Sequence, residues 1–347
     1  MNLIDLRSDT VSHPTPAMRE AMYHAEVGDD VFGDDPTVNR LQAMAAERLG
    51  KEAGLFVASG TMGNLIAILA HCARGDEAIL GNKAHVFLYE AGGISALGGV
   101  HSCQVANRPD GSLDLDDLRA AIRGDNAHLP PTRLIGLENT HNRCGGAALT
   151  AAYTRSVGDL AHEHGLVLHL DGARIFNAAA ALGVSAAELA APADSVTFCL
   201  SKGLCAPVGS VLCGSQGFIR RAHRVRKMVG GGMRQAGILA AAGIVALETM
   251  TERLVEDHRR ARQLAAGLAT VPGIALDPGS PHTNMIFCNL QEGKIPDAAT
   301  LTARCKEQGI LIAPVGPRRL RLVTHFWVDD EAVERTITAF MDLGRLP

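Results

Sequence analysis

Four clusters of polar residues each follow a short apolar run, and their side chains are of the types that do chemistry. Ser59-Gly60-Thr61 follows Leu55–Ala58, and Glu138 to Asn142 follows Arg133–Leu137. Asp171-Gly172-Ala173-Arg174 follows Leu166–Leu170, and Ser201-Lys202-Gly203 follows Val196–Leu200. Ser59-Gly60-Thr61 opens a predicted helix, where free N–H groups favour an anion and Gly60 lets the backbone approach it. Ser and Thr are also ordinary helix caps. Lys202 is either a solvated lysine at a strand end or an amine in a low-dielectric cleft, able to attack a carbonyl carbon. Asp171 ends a buried strand, so its carboxylate must be paired or solvated. It serves either Arg174 and the next helix, or a protonated ring nitrogen. Taken together, these residues ask for one molecule carrying a phosphate, an aldehyde and a pyridine nitrogen, which is pyridoxal 5′-phosphate. The chain has neither G-x-G-x-x-G nor G-x-x-x-x-G-K-[ST], so dinucleotide and P-loop sites lack their fingerprints.

The elements that must position these clusters read as alternating strands and helices. Further strand candidates are Ala78–Leu80, His101–Val105 and Val208–Cys213. Helix candidates are Pro16–His24, Thr37–Leu49, Gly63–Cys72, Asp114–Ile122 and Thr150–His164. This alternation predicts an α/β fold with a mainly parallel sheet covered by helices on both faces. In such sheets ligands bind beyond the carboxyl ends of the strands, so the four clusters converge on one edge. The pattern changes near residue 250, where the charged helix Thr251–Leu268 begins. Strand Asn284–Leu290, helix Ala298–Gln308, strand Leu320–Thr324 and helix Asp330–Leu343 follow. The expected organisation is a large domain over residues 1–250, whose N-terminal segment contributes to the site, and a small α+β domain over residues 251–347.

Composition limits the remaining classes. The chain has 347 residues, enough for two domains at roughly 100–200 residues each. Lys plus Arg is 33 and Asp plus Glu 37, a net charge of −4, with no basic run of the kind a nucleic-acid binder needs. The apolar stretch Ala236–Leu247 is too short to span a bilayer, and it reads as a core helix or a subunit interface. The opening MNLIDLRSD has charges where a secretory leader needs an apolar run, so the expected location is cytoplasmic, with no membrane partner. The 8 cysteines lack zinc spacing and read as buried thiols. Asp29, Asp30, Asp34 and Asp35 form an acidic loop, read as solvated, and no metal ion is expected.

Longer blocks carry a resemblance. DLRSDTVSHPTPAM, GDDVFGDDPTVNRLQ, SGTMGN, AHVFLYEAGG, RLIGLENTHN, LHLDGARIFNAA, CLSKGLCAPVGSVL, RKMVGGGMRQAGILAAAGI, HTNM and RLVTH run from residue 5 to about residue 325. They resemble the low-specificity L-threonine and L-allo-threonine aldolases, fold type I pyridoxal-phosphate enzymes with an aspartate-aminotransferase-like fold. The pair DGARIFNA and CLSKGL is the most specific part.

The resemblance implies roles residue by residue. Lys202 would bind the cofactor aldehyde, and Asp171 would keep the ring nitrogen protonated. Arg174 would contact the ring hydroxyl and the substrate carboxylate. His85 would stack on the ring and is a candidate base. Ser59, Gly60 and Thr61 would hold the phosphate, with Arg234, reaching across a subunit interface, and Lys227 nearby. Ser8 and Arg321 would bind the α-carboxylate, for which the planar guanidinium fork is suited. His128 and Tyr89 would line the side of the β-hydroxyl. The implied reaction is retro-aldol cleavage of a β-hydroxy-α-amino acid to glycine and an aldehyde, in a dimer with shared sites, usually paired into a tetramer. Alternatives on the same fold are an aryl-serine aldolase, a β-eliminating lyase and an aminotransferase. A non-catalytic pyridoxal-phosphate-binding protein would not need Ser8, His128 and Arg321. Three positions depart from the family pattern: Phe32 replaces a usual Tyr, and Arg143 and Cys205 replace usual glycines.

Overall fold

The computed structural model describes residues 3–293 and 295–343. The chain divides into two compact units, one of residues 14–251 and one of residues 1–13 with 252–347.

The larger unit is built on a seven-stranded sheet. Its strands are β1 (Ala53–Val57), β2 (Glu77–Gly81), β3 (His101–Val105), β4 (Thr132–Glu138), β5 (Val167–Asp171), β6 (Ser195–Cys199) and β7 (Ser210–Gly214). The spatial order is β1-β7-β6-β5-β4-β2-β3. The five strands from β3 to β6 pair in parallel, and β7 is antiparallel to both β6 and β1. Every residue of β2, β6 and β7 is buried, as strands covered on both faces require. The edge strand β3 exposes His101 and Gln104. The apolar runs read from sequence match these strands to within a few residues, because continuous hydrophobicity is the property a doubly covered strand must have.

The helix Gly60–His71 follows β1 and lies close to the sheet. A Cβ on Gly63 would stand 2.6 Å from Thr197 Cγ2, so only glycine permits this approach. Ser59 caps the helix, its Oγ accepting the Met62 N–H at 3.1 Å. Ala236–Leu247 forms the helix Gly237–Val245 and the start of a following π-helical turn; it is largely buried within this unit, although Ile238 is exposed. No helix among the described residues is long and apolar enough to cross a membrane.

The smaller unit holds a four-stranded antiparallel sheet of Ala313–Gly316, Arg319–Val323, Met285–Leu290 and Ile274–Leu276. The helices Leu254–Leu268, Ala298–Glu307 and Asp330–Leu343 belong to the same unit. Sequence reading groups residues 1–13 with the large domain, and the structure places them here instead. Ile4 and Asp5 form a parallel pairing with Ile310 and Leu311. Ile4 and Leu6 are buried among Ile310, Ile312, Leu320 and Leu322. Two apolar side chains alternating on so short a segment need an existing core to cover them, and this unit supplies it. The strands Ile274–Leu276 and Ala313–Gly316 escape sequence reading because they are short and only partly buried.

Candidate active site

In the larger unit the carboxyl ends of β5 and β6 carry Asp171 and, just beyond, Lys202, while β1 leads into the Ser59 cap. Asp171 is buried, and two donors hold its carboxylate. Asn64 Nδ2 donates to Oδ2 at 2.9 Å and the Ala173 N–H to Oδ1 at 3.0 Å. The alternative partner considered for it, Arg174, stands at the N-terminal boundary of the helix Ile175–Leu182 and is itself buried.

Asn64 Nδ2 also donates to Glu90 Oε1 at 2.9 Å, so one amide bridges two buried carboxylates. Glu90 Oε1 in turn lies 2.8 Å from His85 Nδ1. The polar chain continues below Asn64. His169 Nε2 lies 3.2 Å from Asn64 Oδ1, and His169 Nδ1 lies 2.9 Å from Ser195 Oγ. Ser195 Oγ is also 2.9 Å from His71 Nε2. Since Asn64 must present its NH₂ to the carboxylates, its oxygen accepts from His169 Nε2–H. His169 Nδ1 then accepts from the Ser195 hydroxyl, which accepts from His71. The whole chain is satisfied with both histidines neutral. Burial pushes them the same way, His169 to about 4 and His71 to about 3.

His85 opens the short helix His85–Leu88, and its backbone N–H is held by Glu138 Oε2 at 2.7 Å. Its hydrogen bond to Glu90 raises the imidazole above its ordinary range; Asp171 adds to this and Lys202 opposes it. Glu90 is raised as well, chiefly by burial. Glu138 Oε1 accepts the Asn142 N–H at 2.8 Å. His141, within the Glu138–Asn142 cluster, is buried with neither ring nitrogen hydrogen-bonded; Nε2 is 3.9 Å from Glu138 Oε2.

At the Ser59 turn, a Cβ on Gly60 would meet Cys199 Sγ at 2.9 Å, and Ser210 Oγ lies 3.7 Å from the same point. The Ser210 hydroxyl is buried without a hydrogen bond. A side-chain-free helix start above an unpartnered hydroxyl is a fitting seat for an anion. With Asp171 and Lys202 at neighbouring strand ends, these residues fit pyridoxal phosphate.

Other expected site residues stand apart from this chain. Tyr89 is 49% exposed, its ring centroid 5.6 Å from that of His85. His128 lies exposed in the connection before β4, its N–H on Asn126 Oδ1 at 2.9 Å. Lys227 and Arg234 are exposed, and Arg234 Nη1 pairs with Asp29 Oδ2 at 2.8 Å. In the smaller unit, Arg321 Nη2 donates to the Arg7 carbonyl at 3.1 Å, which brings Arg321 beside the Ser8 segment. Ser8 Oγ accepts the Thr10 N–H at 3.3 Å.

The acidic loop is structural rather than simply solvated. Asp35 caps the helix Pro36–Arg48 through the Thr37 and Val38 N–H groups. Asp30 pairs at 2.7 Å with Arg226, which is 1% exposed and also donates to the Phe56 carbonyl. Cys205, where glycine is usual in the resembling family, has φ of 64°, a conformation that explains the preference. Phe32, in place of the usual Tyr, is 75% exposed. All 8 cysteines are free, and all but the half-buried Cys103 are buried.

Sequence reading missed Asn64, Glu90 and His169. Each lies inside a block that carries the resemblance, SGTMGN, LYEAGG and LHLD. The available signal was period two: His169 precedes Asp171 by two residues on a strand and shares its face.

Comparison with known proteins follows the same line. The beta-eliminating lyase family matches residues 5–292. A low-specificity L-threonine aldolase of Arabidopsis thaliana is 51% identical over 98% of this chain and 96% of its own length. The Escherichia coli K12 low specificity L-threonine aldolase is 48% identical over 95% and 96%. Among solved structures, a Leishmania major threonine aldolase superposes with a TM-score of 0.84 at 22% identity, covering 98% of this chain and 99% of that one.

Proposed function

We propose that this chain, which belongs to the beta-eliminating lyase family and within it to the low-specificity L-threonine aldolases, cleaves L-threonine and L-allo-threonine to glycine and acetaldehyde with pyridoxal 5′-phosphate. The supporting observation is that Asp171, Lys202 and the Ser59 helix cap stand at the strand ends of one sheet, with Asp171 joined to His85 through Asn64 and Glu90. When bound, the cofactor takes up the electron pair released as the Cα–Cβ bond breaks.

The residues of the chain do the rest. Lys202 supplies the amine that secures the cofactor. Asp171, fixed by Asn64 and the Ala173 N–H, offers its carboxylate to the ring nitrogen. The first N–H groups of the helix Gly60–His71 hold the phosphate, with Ser59, Gly60 and Thr61 at its start and Lys227 and Arg234 adding positive charge. Arg174, Ser8 and Arg321 bind the substrate carboxylate, which orients the bond that breaks. The β-hydroxyl proton passes to His85, to His128 or to a water they hold, and Tyr89 lines that side. The working form is a homodimer, paired into a tetramer, in the cytoplasm.

The test is aldehyde release by purified, cofactor-loaded protein, with L-threonine and L-allo-threonine run side by side. Aldehyde with equimolar glycine supports the reading, and the ratio of rates gives the preference at Cβ. A keto acid with ammonia would replace it with a β-eliminating lyase. A keto acid with an aminated cofactor would replace it with an aminotransferase. Aldehyde from phenylserine alone would make the protein an aryl-serine aldolase.

A further inference from the structure

Glu90 is buried, yet it has no part in the reaction as described above. One oxygen is bound by both Asn64 Nδ2 and His85 Nδ1, and the other has no hydrogen bond. A carboxylate removed from water costs several kcal/mol unless its partners are well placed. Glu90 has two good partners, and both belong to the site. Asn64 is fixed from behind by the neutral His169–Ser195–His71 chain, so its amide cannot turn over without breaking a hydrogen bond at each end.

We propose that Glu90 is a positioning residue: held by Asn64, it fixes the proton on His85 Nδ1 and leaves Nε2 as the ring nitrogen available to the reaction. The inference rests on the reading of His85 as a cofactor-side residue of the aldolase site. The groups facing the pair are few. Asp171 on β5 and Lys202 beyond β6 act on His85 with opposite signs. Asn64 reaches Glu90 from the helix Gly60–His71, Glu138 holds the His85 backbone, and the Tyr89 ring lies alongside. Of these, Glu90 has the largest effect on His85 and raises its proton affinity. His85 Nδ1 and Glu90 Oε1 are 2.8 Å apart, so the two groups titrate as a coupled pair.

The experiment is histidine-ring NMR on the full-length, cofactor-loaded protein, with the His85 signal assigned by its loss in His85→Asn. Glu90→Gln keeps an acceptor but removes the charge. It is expected to lower the His85 titration point by about one pH unit while the Nδ1–H tautomer persists, and to move the acidic limb of kcat/KM down with it. Glu90→Ala removes the acceptor and is expected to mix the two tautomers. A wild-type titration point and tautomer in both variants would overturn the inference. If Glu90→Ala does not fold, Glu90→Gln alone decides. The readout is independent of turnover. A shifted His85 signal without aldehyde release from wild type refutes the aldolase reading and leaves this one standing. Aldehyde release with an unmoved signal does the reverse.

Discussion

The strand-end cluster and the exposed residues expected to work with it are built on opposite principles. Around Asp171, the groups from His71 to His85 form one continuous, mostly buried chain in which each amide, hydroxyl and imidazole has a partner. The residues His128, Lys227, Arg234 and Tyr89, expected beside it from the family resemblance, face solvent. Two adjacent residues show the contrast in miniature. Asp30 pairs with Arg226 at side-chain exposures of 4% and 1%, whereas Asp29 pairs with Arg234 at 21% and 56%. The ion-pair distances are nearly equal, and the energies are not. A buried pair cannot lose one member without stranding a charge, while water replaces an exposed partner cheaply. The inner cluster is therefore set before any substrate arrives.

The sharpest way to break this comparison is at the inner cluster. Lys202→Ala is expected to lose nearly all turnover while circular dichroism and Tm stay close to wild type. Wild-type steady-state rates would remove Lys202 from the chemistry. Next comes the pair of ion pairs. Arg226→Met should cost about 3–5 kcal/mol of unfolding free energy, and Arg234→Met less than about 1 kcal/mol. Equal losses in urea titrations would show that the two regions do not differ.

Acid probes the neutral histidines. His169 is held near 4 in the folded chain, against an ordinary value of 6.5, so the unfolded chain binds the extra proton between those limits. Stability therefore falls as pH drops from 6.5 toward 4, by about 3 kcal/mol at most from this residue. His71, held near 3, adds in the same direction. The plot of Tm against pH should flatten in His169→Gln. An unchanged slope would mean that the buried chain is not neutral. The smallest effect belongs to the exposed residues. His128→Asn is expected to change the rate ratio between threonine and allo-threonine about tenfold, or 1.4 kcal/mol, with cofactor affinity unchanged. Equal losses on both diastereomers would place His128 with the inner cluster.

The legibility of the molecule follows the same division. Asp171 and Lys202 stand out from sequence because a charged residue ending an apolar run is conspicuous, and Gly60 because a glycine at a strand-to-helix turn lets an anion approach the backbone. The strands are legible because burial on both faces leaves an unbroken apolar run, as in VTFCL. Asn64, Glu90 and His169 are not, since the partners of each are brought together only by the sheet order. Asn64 and Asp171 are 107 residues apart along the chain and 2.9 Å apart in space. The placement of Ile4 and Leu6 fails for the same reason, because nothing in a two-residue strand names its partner. Cys205 is an intermediate case. Its departure from a usual glycine is visible in sequence, but the left-handed backbone that makes glycine usual is not.

The pairing of Ile4 with Ile310 also orders events during synthesis. The ribosome makes Ile4 long before Ile310, and a chain emerging from it folds domain by domain. Residues 14–251 emerge complete and can fold while the first residues still lack a partner. Ile4 and Leu6 lack the cover of their core until the segment around Ile310 has been made. The smaller unit thus joins segments made far apart in time, and its core closes only when both are present.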